Sequence, residues 1–567
     1  MAGPIASLPG RFAVAAAAVA VRRQLVAEWR GTPLHRWTLV NPRPEGLGAA
    51  PRDLRPVDAE NGARILAGAF VLAGATLTVG PRGDPWDRPS PDRAFAVALH
   101  RMGWLKDVAA AGPQGPTEAL RLVLEWRRAF GRWNAFSWSP EVLERRVFNL
   151  ACQVRSLCSR ASEAETADVA LDLARQARFL LQVSDGPARG SERAAAAAVA
   201  ATALGGRAAD QLLTAALEKL KRALPVTVAA DGGHASRSPQ AALELLFDLL
   251  TLDDALVQRG VAPPDEVMRA IDRLAGAVRF FTLADGRLAA FQGGEELQPA
   301  YVAAARARDE GEERTRPAAR NGYHRLEARS LQIVADAAPP AEGPLSVSAC
   351  AQPLAIEVLV GAKRLIVGGG WSPDAQGPQA MRLVDAASTV SVGDACCGEP
   401  LRGFPARVLG PRLTGAVEAV EARRHEAPGA LWLELAHDGW AGRFGLRHER
   451  RLYIDVEADE LRGEDRLIPA GGRVPGGRKF APFMVRFHLH PQVHALIARD
   501  RKSVLLKPEG QEQGWWLRND ALEVALEPSV HYQDGQARRS QQIVLRGQAR
   551  LEQGARIRWK LSAAESR

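Results

Sequence analysis

Cysteine is scarce in this chain of 567 residues. Cys152, Cys158, Cys350, Cys396 and Cys397 are an odd number with no CxxC spacing, which excludes a zinc ribbon and a disulfide framework. Tyrosine is scarcer: only Tyr301, Tyr323, Tyr453 and Tyr532 occur, so chemistry that needs a phenol has four places to find one. Long apolar runs are missing as well. The longest near the start, Phe12 to Val21, is a short stretch made mostly of alanine and valine, about half the ~20 residues a membrane-spanning helix needs. No transmembrane segment is expected. Arg11 precedes the run as the positive flank of a signal peptide would, but Arg22 and Arg23 follow directly, which favours an amphipathic first helix continuing to Arg30. A basic tail or block is also lacking. Lys and Arg exceed Asp and Glu by 74 to 65, divided as 41 to 36 over residues 1–320 and 33 to 29 over the rest. Nucleic acid usually demands a concentrated patch, so this diffuse surplus fits an anionic small molecule, an acidic glycan or no particular partner, and is poor evidence for nucleic acid.

What is present is ordinary globular composition, 46% hydrophobic and 25% charged, long enough for two to four domains at roughly 150 residues each. From about Pro140 to Leu288 apolar residues recur at spacings of three and four, in segments such as EVLERRVFNLACQVRSLC and ADVALDLARQARFLLQV, each ended by Gly, Pro or a polar break. Such segments predict sequential helical hairpins. After RARDEGEERTRPAARNG the period becomes two, in AIEVLVGAKRLIVGGG, ALWLELAHDGW, GRFGLRHERRLYIDVEAD and MVRFHLHP among others, which predicts an antiparallel β domain. Tryptophan follows the division, with all 13 before residue 139 or after residue 370. The expected organisation is an irregular lead-in with an N-terminal helix over 1–60, a helical domain over 61–318 and a β domain over 319–567.

The densest local chemistry is Asp231-Gly-Gly-His-Ala-Ser-Arg-Ser-Pro239 between two helices. Asp231, His234, Ser236 and Arg237 place an acid, a titratable ring, a hydroxyl and a fixed cation within seven residues, as binding loops do. The same letters also fit helix capping by Asp231 and Ser236, with Pro239 opening the next helix.

DGGHASRSP opening a helix, followed by AIEVLVGAKRLIVGGG, ASTVSVGD, LELAHDGW, FGLRHERRLYI, LRGEDRL and FHLHP in this order, resembles the bacterial heparinase II/III-like proteins over roughly residues 90–560. The resemblance implies an α+β multidomain fold, an incomplete α/α toroid followed by an antiparallel β-sandwich, with a polysaccharide cleft between them. It implies β-elimination on a uronate-containing glycan, no required cofactor, and a cell-envelope or periplasmic place, although without a clear leader the cytoplasm stays open. β-Elimination requires neutralising the C6 carboxylate, removing the C5 proton and protonating the departing O4. Members of the family use Tyr and His for those transfers, the Tyr a few residues into the helix after the DG loop and a His directly before an Asn/Ser-Thr pair. Here these places read Gln240-Ala241-Ala242 and Ala387-Ser388-Thr389; both expected proton carriers are missing.

Two readings follow. In one the protein is a lyase with His234 or Tyr323 as proton carrier, Arg237 holding the uronate carboxylate, and Asp231, Asn321, Arg447, Arg450 and Arg486 lining the cleft. In the other the protein binds an acidic glycan, or serves as a scaffold in envelope polysaccharide metabolism, without catalysis. A structural zinc in the β domain is a further expectation: His488 and His490, at i and i+2, share a strand face, and His437 or Asp438 would arrive from a neighbouring strand. Gly368 to Gly370 before Trp371 do not open a helix, so a nucleotide loop is not indicated.

Overall fold

The computed structural model describes residues 10–183, 189–308, 318–373, 379–471 and 477–564. The chain divides into two compact units that do not follow chain order. One comprises residues 1–229, 243–275 and 304–309; the other comprises 230–242, 276–303 and 310–567. Of the stretch expected as the helical domain, 61–318, residues 230–242, 276–303 and 310–318 fall in the second unit.

The first unit is helical from Gly10–Arg30 onward, and its helices read directly from local sequence. Glu163–Gln182 opens on a capping box between Ser162 and Glu165, and Pro140–Leu157 starts on its proline, both of which satisfy or dispense with orphan N–H groups. Gly190–Thr202 is buried on every side from Ser191 to Thr202. Its alanines let Pro140–Leu157, Glu163–Gln182 and Arg207–Thr227 approach closely around it, the expected fate of a helix apolar all round. One element was not expected, a hairpin of Ala69–Leu72 with Ala75–Thr78. It turns on Ala73 and Gly74, both at positive φ, so the usual Asn-Gly or Asp-Gly signal is absent. No helix among the described residues is long and apolar enough to cross a membrane.

The second unit is built on two antiparallel sheets. The first runs Val420–Ala427, Ala430–Trp440, Leu446–Asp455, Glu460–Pro469, Ala555–Ala563, Trp515–Asn519, Ser503–Pro508, Val493–Ile497. The second runs Glu523–Gln533, Gln536–Arg550, Phe480–Leu489, Lys363–Val367, Ile356–Val360, Leu331–Asp336, Tyr323–Glu327, Ala319–Arg320, with Val390–Val392 also paired to Phe480–Leu489. Their inner faces share one core, in which Leu433, Leu452, Ile454 and Leu461 of one sheet pack with Ile333, Val358, Phe487 and Ile543 of the other. Phe487 and Trp559 meet edge to face with centroids 4.9 Å apart. Strict alternation decides what enters that core. Along Leu446–Asp455, Leu446, His448, Arg450, Leu452 and Ile454 all point inward, as a period of two requires.

Candidate functional site

The loop Asp231–Arg237 is clamped onto the start of the second sheet. Asp231 accepts the Asn321 N–H and the Arg320 guanidinium, while Asn321 Nδ2 donates to the His234 carbonyl at 3.1 Å. A Cβ at Gly233 would lie 2.0 Å from the Asn321 side chain, so only glycine permits this approach. His234 is buried, and its Nδ1 accepts the Ser236 N–H at 3.0 Å. Arg237 uses all of its donors inside the protein. They reach the carbonyls of Asn321, Gly322, Ala338 and Pro339 at 2.9–3.2 Å and Asp336 Oδ1 at 2.7 Å. Its guanidinium sits 4.5 Å over the Tyr323 ring, and the Tyr323 hydroxyl donates to the Arg237 carbonyl at 2.9 Å. Phe281 and Phe291 flank the same ring. Tyr323 is fully buried, and that burial pushes its phenol well above the usual range. The expected proton carriers His234 and Tyr323 and the expected carboxylate clamp Arg237 are thus parts of a closed joint. Pro239 does open the next helix, but Asp231 accepts from the strand junction at Arg320 and Asn321 instead of capping a helix, and Ser238 accepts the Ala241 N–H.

Beside this joint a small cleft is lined by Gln292, Cys350, Gly370, Trp371 and Ala387, among others, and has a volume of about 10 Å³, room for about one water. Gln292 and Gln352 both donate to Asp336 Oδ2, and Gln292 Oε1 accepts the Cys350 N–H. The two positions at which the resemblance led to an expected Tyr and His lie in this unit. Gln240 gives its Oε1 to the Glu295 N–H at 2.9 Å, and Ala387 presents only a methyl to the cleft. No tyrosine or histidine lines it among the described residues.

The four residues expected to hold zinc are distributed over four separate environments. His437 Nδ1 accepts the Gly439 N–H at 3.0 Å and its Nε2 meets His448 Nδ1 at 3.2 Å; His448 Nε2 lies 2.9 Å from Asp465. Asp465 also accepts Arg450 Nε at 2.7 Å and Trp559 Nε1 at 2.9 Å. Burial opposes its charge, yet Arg450 and His448 hold the Asp465 carboxyl well below the usual range. Asp438 is exposed and pairs with Arg447. His488 is held between Ser529 Oγ and the Asp385 carbonyl at 2.7 and 3.0 Å, and burial brings it down to about 4. His490 lies just past the end of Phe480–Leu489, where alternation no longer governs direction. It joins Glu296 and His531, and the ligand atoms of these three buried side chains all lie within 4.8 Å of one another. Neither Glu296 nor His531 was singled out from sequence. Some two hundred residues separate Glu296 from its partners, and no local spacing links them.

The arginines expected to share one cleft are each matched locally. Arg447 pairs with Glu421 at 2.8 Å, Arg450 is consumed by Asp465 and two carbonyls, and Arg486 pairs with Asp385 at 3.1 Å. A different basic surface exists on the first sheet. A groove of about 470 Å³ is lined by Arg451, Arg462, Arg518, Arg558 and Lys560 with Tyr453, against the acids Glu464 and Asp520.

Comparison with known proteins fits this geometry. Residues 311–560 match the family described as heparinase II/III-like, C-terminal. The chain is 54% identical over 542 residues, 95% of its length and 94% of the relative's, to a protein named FtsZ-localized protein C from Caulobacter vibrioides (strain NA1000 / CB15N). The chain belongs to the heparinase II/III-like family. Among solved structures it is similar to heparinase III, at TM-score 0.66 and 14% identity over 87% of this chain and 81% of that one. It is also similar to a mutant of the heparan sulfate lyase HepC from Pedobacter heparinus, at TM-score 0.57 and 13% identity over 94% and 87%. The fold, a helical region followed by a sheet-rich domain, is thus that of the heparinase II/III-like lyases. Positions 240 and 387 of this chain hold Gln and Ala, and the Tyr323 hydroxyl is hydrogen-bonded to the Arg237 carbonyl.

Proposed function

We propose that this chain is a non-catalytic heparinase II/III-like protein that keeps the lyase architecture as a binding scaffold, working where the division protein FtsZ assembles. The observation that carries this reading is that the two positions expected to hold Tyr and His read Gln240 and Ala387, while His234 and Tyr323 are buried and hydrogen-bonded inside the protein. General acid-base catalysis needs a titratable group within hydrogen-bond reach of the substrate proton, and neither His234 nor Tyr323 is free to supply it. The place of action is supported by the name of the 54% identical relative, FtsZ-localized protein C. Two measurements test the proposal. Incubation with alginate, heparan sulfate or hyaluronan should produce no rise in the ultraviolet absorbance of an unsaturated uronate; a sustained rise abolished by a substitution in the cleft would overturn it. Co-sedimentation with polymerised FtsZ should carry the chain into the pellet, and a chain left in the supernatant at all FtsZ concentrations would remove the division-site assignment.

The groove on the first sheet favours a second reading, in which the scaffold binds an acidic glycan. Arg462 lies 5.6 Å over Tyr453 and Arg518 lies 5.5 Å over Trp516, pairing flat apolar rings with cations as a sugar carboxylate site would. Affinity electrophoresis in gels containing alginate or heparan sulfate distinguishes the two: retardation lost in Arg518→Ala supports glycan binding, and unchanged mobility removes it.

A further inference from the structure

We infer that Glu296, His490 and His531 form a binding site for a single divalent transition metal ion, with zinc the best match. The argument starts from which atoms lack partners. His531 donates Nδ1–H to the Gly368 carbonyl at 2.9 Å, which fixes its tautomer and leaves a lone pair on Nε2. That Nε2 is buried and has no hydrogen-bond partner. Glu296 is fully buried; its Oε1 accepts Gln533 Nε2, while its Oε2 accepts no hydrogen bond. Arg364 Nε lies 3.1 Å from that oxygen. However, the Arg364 hydrogen bonds go to Asp285, Glu357 and the Leu288 carbonyl. The guanidinium therefore contributes charge without filling the lone pair. His490 Nε2 stands 3.7 Å from Glu296 Oε1. One carboxylate oxygen and two imidazole nitrogens converging in a buried space are a borderline-soft donor set suited to zinc.

Leaving such atoms empty has a cost. A buried polar atom without a hydrogen-bond partner is costly, and here His531 Nε2 and Glu296 Oε2 both lack one. The second shell is also in place. The Gly368 carbonyl orients His531, and Gln533 orients Glu296, as outer ligands do in metal sites. The surrounding ion-pair network joins Asp285, Glu296 and Glu357 to Arg364 and Arg287. The glycine run that the sequence left unassigned also finds a role. A Cβ at Gly370 would lie 2.5 Å from the Tyr532 carbonyl and 3.0 Å from His531 Cε1, so glycine is what lets the His531 strand close on the site.

Metal entry requires small shifts. Tetrahedral zinc with bonds near 2.0–2.1 Å places ligand atoms roughly 3.3 Å apart, closer than the present limit of 4.8 Å. Without metal, His490 Nδ1 accepts the Gln492 N–H at 3.3 Å, so its proton sits on Nε2. The ion takes that position and the proton moves to Nδ1, giving up the long Gln492 contact.

The experiment uses the full chain, stripped with a chelator and dialysed. Zinc titrated in competition with a chromophoric chelator should bind at one equivalent per chain and raise the melting temperature. His531→Ala and Glu296→Gln should each lower the zinc affinity at least tenfold, while His437→Gln, in the other histidine group, should retain it. Absence of stoichiometric binding, or retention of full affinity in both site variants, overturns the inference. Should the variants fail to fold by circular dichroism, cobalt(II) bound to the unaltered chain decides. Visible d–d bands of a nitrogen and oxygen set support the site, and a thiolate charge-transfer band, which would place the ion on cysteine, overturns it.

Discussion

Two groups of buried histidines lie in the β unit, and they differ in how fully their nitrogens are used. Around Asp465 one arrangement of protons satisfies every atom. Gly439 N–H points at His437 Nδ1, His437 Nε2–H at His448 Nδ1, and His448 Nε2–H at Asp465, whose remaining capacity goes to Arg450 and Trp559. Around Glu296 no arrangement does so, and His531 Nε2 and Glu296 Oε2 stay without hydrogen-bond partners. Networks of the first kind rigidify a core, whereas partly satisfied ones mark strain or a missing ligand. Identical residue types therefore carry opposite meanings, and satisfaction of their lone pairs, more than burial, separates them.

The largest effect that tests this contrast is in the satisfied group. Asp465→Ala leaves Arg450, which is 0% exposed, with an unpaired charge in the core, and should destabilise the β unit by about 3–5 kcal/mol. Urea unfolding followed by tryptophan fluorescence measures it. A loss below about 1 kcal/mol would show that water or another acid reaches Arg450, and the group would no longer count as closed.

This contrast also shows how much was readable beforehand. The change of period near residue 320 marks the passage from helices to strands, because apolar spacing records which face is buried. The motifs from DGGHASRSP to FHLHP carried the family. The site was less legible. Arg450 reads as part of a basic cleft wall, yet alternation from Leu446 and Leu452 places it on the inward face. Arg237 looked like an anion clamp, but whether a cation faces solvent depends on what folds against it, here the carbonyls of Asn321, Gly322, Ala338 and Pro339. Glu296, His490 and His531 converge only through sheet register and loop packing, which no short window of sequence records.

The next largest effect is on acid stability, measured with chelator present. Burial lowers His531 to about 4, whereas an unfolded histidine titrates near ~6.5. The folded state thus keeps this ring neutral while the unfolded chain takes up a proton first. Its contribution to stability is complete above about pH 6.5 and is lost progressively as the pH falls through about 4, amounting to roughly 3 kcal/mol. His488 behaves in the same way for the same reason. Unfolding free energies between pH 7 and 4 should fall steeply, and His531→Leu should flatten the curve by up to one proton, about 1.4 kcal/mol per pH unit. An unchanged slope in that variant would mean that His531 is already charged in the fold, contradicting the free Nε2 on which the contrast rests.

The smallest effect compares one histidine from each group at neutral pH. His448→Leu removes bonds to both His437 and Asp465 and strands His437 Nε2, while Asp465 keeps Arg450 and Trp559. The expected cost is about 2 kcal/mol. His531→Leu removes one bond, to the Gly368 carbonyl, and simultaneously eliminates an imidazole nitrogen that had no partner. Loss and relief partly cancel, so about 1 kcal/mol is expected in the metal-free chain. Zinc adds the sharper half of the comparison. If the ion binds where the empty lone pairs meet, saturating zinc stabilises the unaltered chain and His448→Leu alike, by about 2.7 kcal/mol at a hundredfold excess over the dissociation constant, and leaves His531→Leu where it was. Equal costs for the two substitutions in metal-free protein, together with equal responses to zinc, would mean that the two groups do the same job and that unused lone pairs carry no information here.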